Sequence, residues 1–194
     1  MSENEGAKRL FFGVRISLGA VQDLAALVES MQPLARAEKL DVRWLAPATY
    51  HITLKFLGWA KSEVVPAVRE SFDGAFADVE PFGVTMRGVG AFASEKKARV
   101  LWAGIDRGTD ELKELAERID ARAAELGFER EKRAFHPHVT FARLKNPANA
   151  SALILPFSED TFRKTKVDRV VLFESVTKPK GAEYSALAEW RLGG

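Results

Sequence analysis

Leu10, Phe12, Val14, Ile16 and Leu18 alternate with Phe11, Gly13, Arg15 and Ser17, the period of two that gives a strand one buried face. From Val21 the spacing lengthens. Leu24, Leu27, Val28, Met31 and Leu34 recur at three and four, which predicts the buried stripe of a helix. After a loop through Pro47, Tyr50, Ile52, Leu54 and Phe56 alternate with His51, Thr53, Lys55 and Leu57 before Gly58, predicting a second strand with one apolar and one polar face. Helical spacing returns near Val64, Val65, Val68, Phe72 and Phe76. Short strands are predicted over 82–87 and 99–105, joined by a connection with a basic tip at Lys96, Lys97 and Arg99. Leu112, Leu115, Ile119, Ala123 and Leu126 predict a further helix ending at Gly127, the residue type suited to a left-handed C-terminal position. Strands follow over 135–142, 167–175 and 184–191, with a loop containing Asn146, Pro147 and Asn149 after the first of them. Strands so often adjacent in sequence favour antiparallel pairing, so the expected class is α+β with helices on one side of the sheet.

Composition narrows the chemistry. The chain has 194 residues, enough to bury a core without a disulfide or structural metal, and it contains no cysteine. Thiol nucleophiles, iron–sulfur clusters and zinc ribbons are excluded, and a reducing cytoplasm is the expected compartment. No apolar run approaches the ~20 residues of a membrane span, and the polar start, which predicts a disordered segment over residues 1–8, lacks the features of a signal peptide. A net charge of +2 from 29 basic and 27 acidic residues is too mild to imply bulk nucleic-acid binding. No glycine-rich phosphate loop and no solenoid repeat is present.

A weaker duplication carries the chemistry. Of three histidines, His51 and His138 each open a His-x-Thr-hydrophobic run, His51-Ile-Thr53-Leu and His138-Val-Thr140-Phe, each preceded by a predicted helix. On a strand, residues two apart share a face at about 6–7 Å, so each run sets an imidazole beside a hydroxyl while Ile52, Leu54, Val139 and Phe141 anchor the other face. Brought together across a pseudo-two-fold, the two polar faces would offer one imidazole to take a proton, a second to give one, and hydroxyls to hold phosphoryl oxygens. Histidine suits both roles because its ordinary pKa lies near neutrality. Arg143, Arg43 and Lys55 are the cations close enough in sequence to balance developing charge, and no cofactor is needed.

These residues resemble a known family. Arg43 through Gly58, Phe135-His-Pro-His138-Val-Thr140-Phe-Ala-Arg143, and the segment Gly181 to Trp190 are similar to the two-histidine phosphoesterases, in the branch of RNA 2′,3′-cyclic phosphodiesterases historically described as 2′-5′ RNA ligases. The resemblance implies a single bilobal domain over residues 9–194, with two pseudo-two-fold-related antiparallel lobes, helices on the outer faces and a cleft between them. It implies metal-independent opening of a 2′,3′-cyclic phosphate to a 2′-phosphomonoester, with RNA ends or nucleotides as substrate and no obligate protein partner. His51 would protonate the departing 3′ oxygen, His138 would activate water, and Thr53 and Thr140 would bind phosphate. Arg143 would help hold phosphate, although strict alternation from His138 places it on the opposite face unless a twist or strand end intervenes. Ligation by the same groups is the reverse reaction.

Two rival readings stay open at this level. His136 and His138 on one strand with His51 from elsewhere could form the three-imidazole set of a catalytic zinc, though that leaves both threonines without a role. A nucleotide-binding module that has lost turnover is the other. Among aromatic residues, Phe11 and Trp44 are the preferred base contacts over Trp59, Trp102 and Trp190, which read more readily as core. Of the basic clusters, Arg130-Glu-Lys-Arg133 is favoured as an RNA contact because it leads directly into the second motif.

Overall fold

The computed structural model describes residues 7–179 and 181–193. The chain runs β1 (Ala7–Arg15), α1 (Leu18–Ala37), β2 (Val42–Trp44), β3 (His51–Lys61), α2 (Val64–Ser71), β4 (Phe82–Phe92), β5 (Ala98–Arg107), α3 (Thr109–Glu125), β6 (His138–Ala148), α4 (Ser151–Ile154), β7 (Thr165–Val167), β8 (Arg169–Lys178) and β9 (Gly181–Arg191). The strands form an antiparallel sheet in the order β7-β4-β5-β6-β3-β1-β8-β9, with β2 paired to β6. Counted outward from the β3–β6 contact, β1 matches β5, β8 matches β4 and β9 matches β7. Each half also threads strand, helix, motif strand, as β1-α1-β3 and β5-α3-β6. The expected α+β class and duplication are therefore present as one sheet with two related halves.

One face carries the core. Leu10, Phe12 and Val14 of β1 join Leu24 and Met31 of α1, Val68 of α2, Leu112 and Ile119 of α3 and Leu153 of α4 in a single buried cluster. Among the described residues the opposite face has a small cluster of its own, Phe11, Val171 and Phe173 with Tyr184 packed on it. Helices thus cover one side, and the uncovered side carries the polar members of both motifs.

Local signals explain most boundaries. Ser17 caps α1 by accepting from Ala20 N–H, so Leu18 opens the helix rather than closing the first strand. Gly127 adopts φ 86° just after α3, the left-handed conformation its sequence position predicts. Ala7 and Lys8 belong to β1, and Lys8 pairs with Glu174 at 2.7 Å, which corrects the expectation of disorder for the described part of 1–8; the rest of that segment lies outside the described residues. The second motif strand starts at His138 and runs on through Pro147 to Ala148, later at both ends than predicted.

Candidate active site

β3 and β6 meet at Ile52 and Val139, the apolar middle residues of the two motifs. Antiparallel counting outward from that pair sets Thr53 toward His138 and His51 toward Thr140, all four on the uncovered face. Cross-strand neighbours lie about 4.5–5.5 Å apart, so the two strands assemble an alternating quartet of imidazoles and hydroxyls.

Each imidazole is fixed the same way. His51 Nδ1 lies 2.7 Å from the carbonyl of Thr49, and His138 Nδ1 lies 2.6 Å from that of His136, in both cases two residues back along the chain. A carbonyl only accepts, so Nδ1–H is the donor in both rings and Nε2 is the nitrogen left for chemistry. Thr53 Oγ1 stands 3.0 Å from His51 Nε2 and can donate to its lone pair. Burial holds His51 below the ordinary histidine pKa, with repulsion from His138 adding to it and the Thr49 carbonyl opposing. Burial likewise lowers His138, opposed by the His136 carbonyl and aided by His136 and Arg143. Both rings are therefore mostly neutral at pH 7 until an anion arrives to favour a proton on one of them.

Arg143 does share the face of His138, and a β-bulge is the reason. Leu101 pairs with Ala142 but Trp102 pairs with Thr140, so Phe141 is skipped and the alternation resets. The first motif does the same. Phe12 pairs with Lys55 and Gly13 with Thr53, skipping Leu54. As a result the six residues from His51 and the six from His138 share one burial sequence: half-buried, buried, half-buried, buried, buried, exposed. Phe56 in the first half thus occupies the place of Arg143 in the second.

The bulge also removes Lys55 from the site. It is turned to the helix side, where it bonds Asp120 at 2.5 Å and the carbonyl of Glu129 at 2.8 Å. Arg130 follows it there, pairing with the other Asp120 oxygen at 2.6 Å, while Arg133 is engaged with Glu131. Neither arginine contacts the quartet. Arg43 pairs in register with Arg143 and so lies on the uncovered face.

The two preferred aromatic residues have other duties. Phe11 is 2% exposed, with its ring 4.8 Å from His51 and 5.0 Å from Phe173, so it is a floor under the imidazole rather than an open base platform. Trp44 pairs with the core residue Ala142 and lines a hollow of about 300 Å³ against Gln32 and Arg36 of α1, away from the histidines. Sequence reasoning overlooked Tyr184, Phe92 and Arg15. Tyr184 sits edge-on to His51 at 5.0 Å; burial raises its pKa, opposed by Arg143 and Arg9. Phe92 sits edge-on to His138 at 4.9 Å. Arg15, opposite His51 on β1, lies over the Phe173 ring and pairs with Glu189. Strand parity with His51 was the available signal for Arg15, whereas Tyr184 and Phe92 depend on long-range pairing.

His136 is exposed and stacks loosely on His138 at 6.2 Å, with Trp102 edge-on at 5.0 Å. Its carbonyl, not its ring, serves the site. Among the described residues no three of His, Asp and Glu converge as ligands, so His51 does not complete a three-imidazole metal set with the other two.

The chain is similar to known proteins over most of its length. The sequence model of the 2′-5′ RNA ligase superfamily matches residues 21–179. A protein of Archaeoglobus fulgidus named RNA 2′,3′-cyclic phosphodiesterase is 33% identical over 181 residues, covering 92% of this chain and 97% of its own. One of the same name from Aeropyrum pernix is 33% identical over 143 residues, 72% of this chain and 80% of its own. The crystal structure of a Thermus thermophilus protein, TT0787, superposes with a TM-score of 0.75 at 28% identity, over 96% of this chain and 98% of that one. With both motifs on paired strands and the family match spanning most of its length, the chain belongs to the 2′-5′ RNA ligase superfamily.

Proposed function

We propose that the protein is an RNA 2′,3′-cyclic phosphodiesterase that opens a terminal 2′,3′-cyclic phosphate to a 2′-phosphomonoester, acting as one bilobal unit. The observation that carries this reading is the quartet: two Nε2 nitrogens on one face, each set by an Nδ1–H bond to a carbonyl, with a threonine hydroxyl beside each. In this reading His138 Nε2 takes a proton from water as its oxygen attacks phosphorus. The bond from phosphorus to the 3′ oxygen breaks, and that oxygen leaves with the proton of His51 Nε2–H. The geometry equips both rings alike, and the assignment of acid to His51 follows the family resemblance. Thr53, Thr140 and Arg143 hold the phosphoryl oxygens, where charge-assisted donors act most strongly. A cysteine-free chain with no helix long and apolar enough to cross a membrane among its described residues fits a cytoplasmic enzyme of RNA processing.

The test is to incubate the purified protein with a short RNA ending in a 2′,3′-cyclic phosphate in excess EDTA and to read the product by ³¹P NMR. A 2′-phosphomonoester is expected. A 3′-phosphomonoester, or turnover only after zinc is restored, would overturn the proposal.

A further inference from the structure

The quartet uses only the start of β3, yet the uncovered face continues along that strand. A second bulge follows the first, because Leu10 pairs with Gly58 but Phe11 with Phe56, skipping Leu57. The two bulges together turn Phe56, Trp59 and Lys61 to the same side as His51. Phe56 is 56% exposed and Trp59 58%, large aromatic rings left in water on a sheet. Arg9 pairs with both Trp59 and Ser175, and Ser175 pairs with Tyr184, so this strip runs without a break into the residues around His51. Arg9 and Lys61 are exposed, and among the described residues neither has a carboxylate partner.

Exposed rings interleaved with cations that have no carboxylate partner among the described residues suit a polyanion with flat, stackable groups, which is the chemistry of single-stranded nucleic acid. At about 3.3 Å per residue, and leaving out the two bulged residues, Trp59 lies roughly 20 Å along β3 from His51. That is too far to touch the nucleotide whose phosphate is opened. Building on the phosphodiesterase reading, we propose that the strip Trp59, Arg9 and Lys61 is a track for the RNA strand upstream of the reacting end. Trp59 stacks an upstream base, Arg9 and Lys61 hold the flanking phosphates, and the enzyme prefers an oligonucleotide to a mononucleotide. Continuity with the quartet and charge complementarity select this occupant over a second protein, for which two cations beside two rings would be costly to bury.

The experiment compares kcat/KM for adenosine 2′,3′-cyclic phosphate with that for RNAs of increasing length ending in the same cyclic nucleotide, using wild type, Trp59→Ala and the pair Arg9→Gln/Lys61→Gln. Wild type is expected to gain with length. Trp59→Ala should lose about 5- to 100-fold on the longer RNAs and keep its rate on the mononucleotide, which also shows that it folds. The double variant should flatten the salt dependence for long RNA by roughly 0.7 per phosphate contact removed. Equal rates per end at every length in wild type, or a Trp59→Ala loss that is the same for mononucleotide and long RNA, would overturn the track. If no cyclic phosphate is turned over at all, the phosphodiesterase reading fails separately. The track is then judged by fluorescence anisotropy of labelled single-stranded RNA: tighter binding with length that Trp59→Ala removes supports it, and length-independent binding refutes it. Self-association in sedimentation that Trp59→Ala abolishes, with no effect on RNA, would assign the strip to a protein contact instead.

Discussion

Gly90→Ala should destabilise the second half of the sheet through one identifiable clash. A Cβ at this position would lie 2.3, 2.4 and 2.8 Å from three atoms of the Trp102 ring. Carbon atoms rest at about 3.5–4.0 Å, so the indole has to retreat by more than about 1 Å. It has little room to do so, since Phe92 packs on it at 5.3 Å, His136 at 5.0 Å, and a Cβ at Gly104 would itself meet the ring at 3.3 Å. Overpacking of this kind costs about 1–3 kcal/mol. In a Trp102→Ala background the clash is gone, and because Gly90 is not in the left-handed region, alanine there should instead stabilise by about 0.4–1 kcal/mol. A double-mutant cycle by urea denaturation should then return a coupling of roughly 1.5–4 kcal/mol. The same cost for Gly90→Ala in both backgrounds would show that the indole does not fill the space above Gly90.

Three further outcomes are expected. His51→Ala and His138→Ala should each lower kcat by about 10²–10⁴ while leaving thermal unfolding nearly unchanged, and full turnover by either would remove it from the chemistry. Because burial lowers both imidazoles, the bell-shaped kcat/KM profile of the free enzyme should be centred on the acid side of pH 6.5. Arg143→Gln deletes a positive neighbour of His138, so the limb belonging to that ring should move to higher pH; an unmoved profile would contradict the electrostatic argument. Lys55→Met should cost about 1–3 kcal/mol, less than stripping a lone buried charge, because Asp120 keeps Arg130 at 2.6 Å and the Glu131 N–H at 2.9 Å. Burial pushes the Asp120 carboxyl up, but Lys55, Glu131 and Arg130 outweigh it and hold the carboxyl below 3.8. That stabilisation is present above the unfolded value and lost as pH falls through the folded one, so the gap between variant and wild type in denaturation should close in acid.

Period-two and period-three-to-four patterns were enough to locate β1, α1, β3 and α3, since each buries one face against a shared core and the pattern is the direct record of that face. They did not locate β2 or α4. Val42–Trp44 and Ser151–Ile154 are too short to repeat a period, and they exist because β6 and the core hold them. Both His–Thr pairs were legible for the same reason that parity is legible, because His51 with Thr53 and His138 with Thr140 precede the first bulge. Every misplacement near them follows it. Lys55 was counted onto the open face and Arg143 off it, because a skipped residue inverts the face of everything beyond while leaving no mark in hydrophobicity. Trp44 and Phe11 show the other limit: an aromatic residue beside a motif has the same composition whether it lines the site, floors it or fills the helix-side core.

The duplication is complete in the quartet and breaks down around it. The histidines, threonines, carbonyl acceptors and the first bulge of each motif strand correspond one for one. The flanking positions do not: Phe56 stands where the other half has Arg143, and Arg15 stands where it has Gly104. The first half has Gly13 with Val171, where the second has Trp102 with Gly90. In the proposed reaction a proton leaves the attacking water and another reaches the departing oxygen, two transfers nearly symmetric about the phosphate, for which two equivalent imidazoles are suited. The rest of the substrate is not symmetric, because a nucleoside lies on one side of phosphorus and water on the other. On the proposed reading, the half that carries Phe56, Tyr184 and Trp59 is suited to a nucleoside and the strand behind it, and the half that carries Arg143 is suited to the free oxygens. Exchanging Phe56 and Arg143 between their strands would keep the quartet and both bulges. It should nevertheless impair oligonucleotide turnover, because the face that aligns the strand would then carry a charge and the face that holds the oxygens would carry a ring.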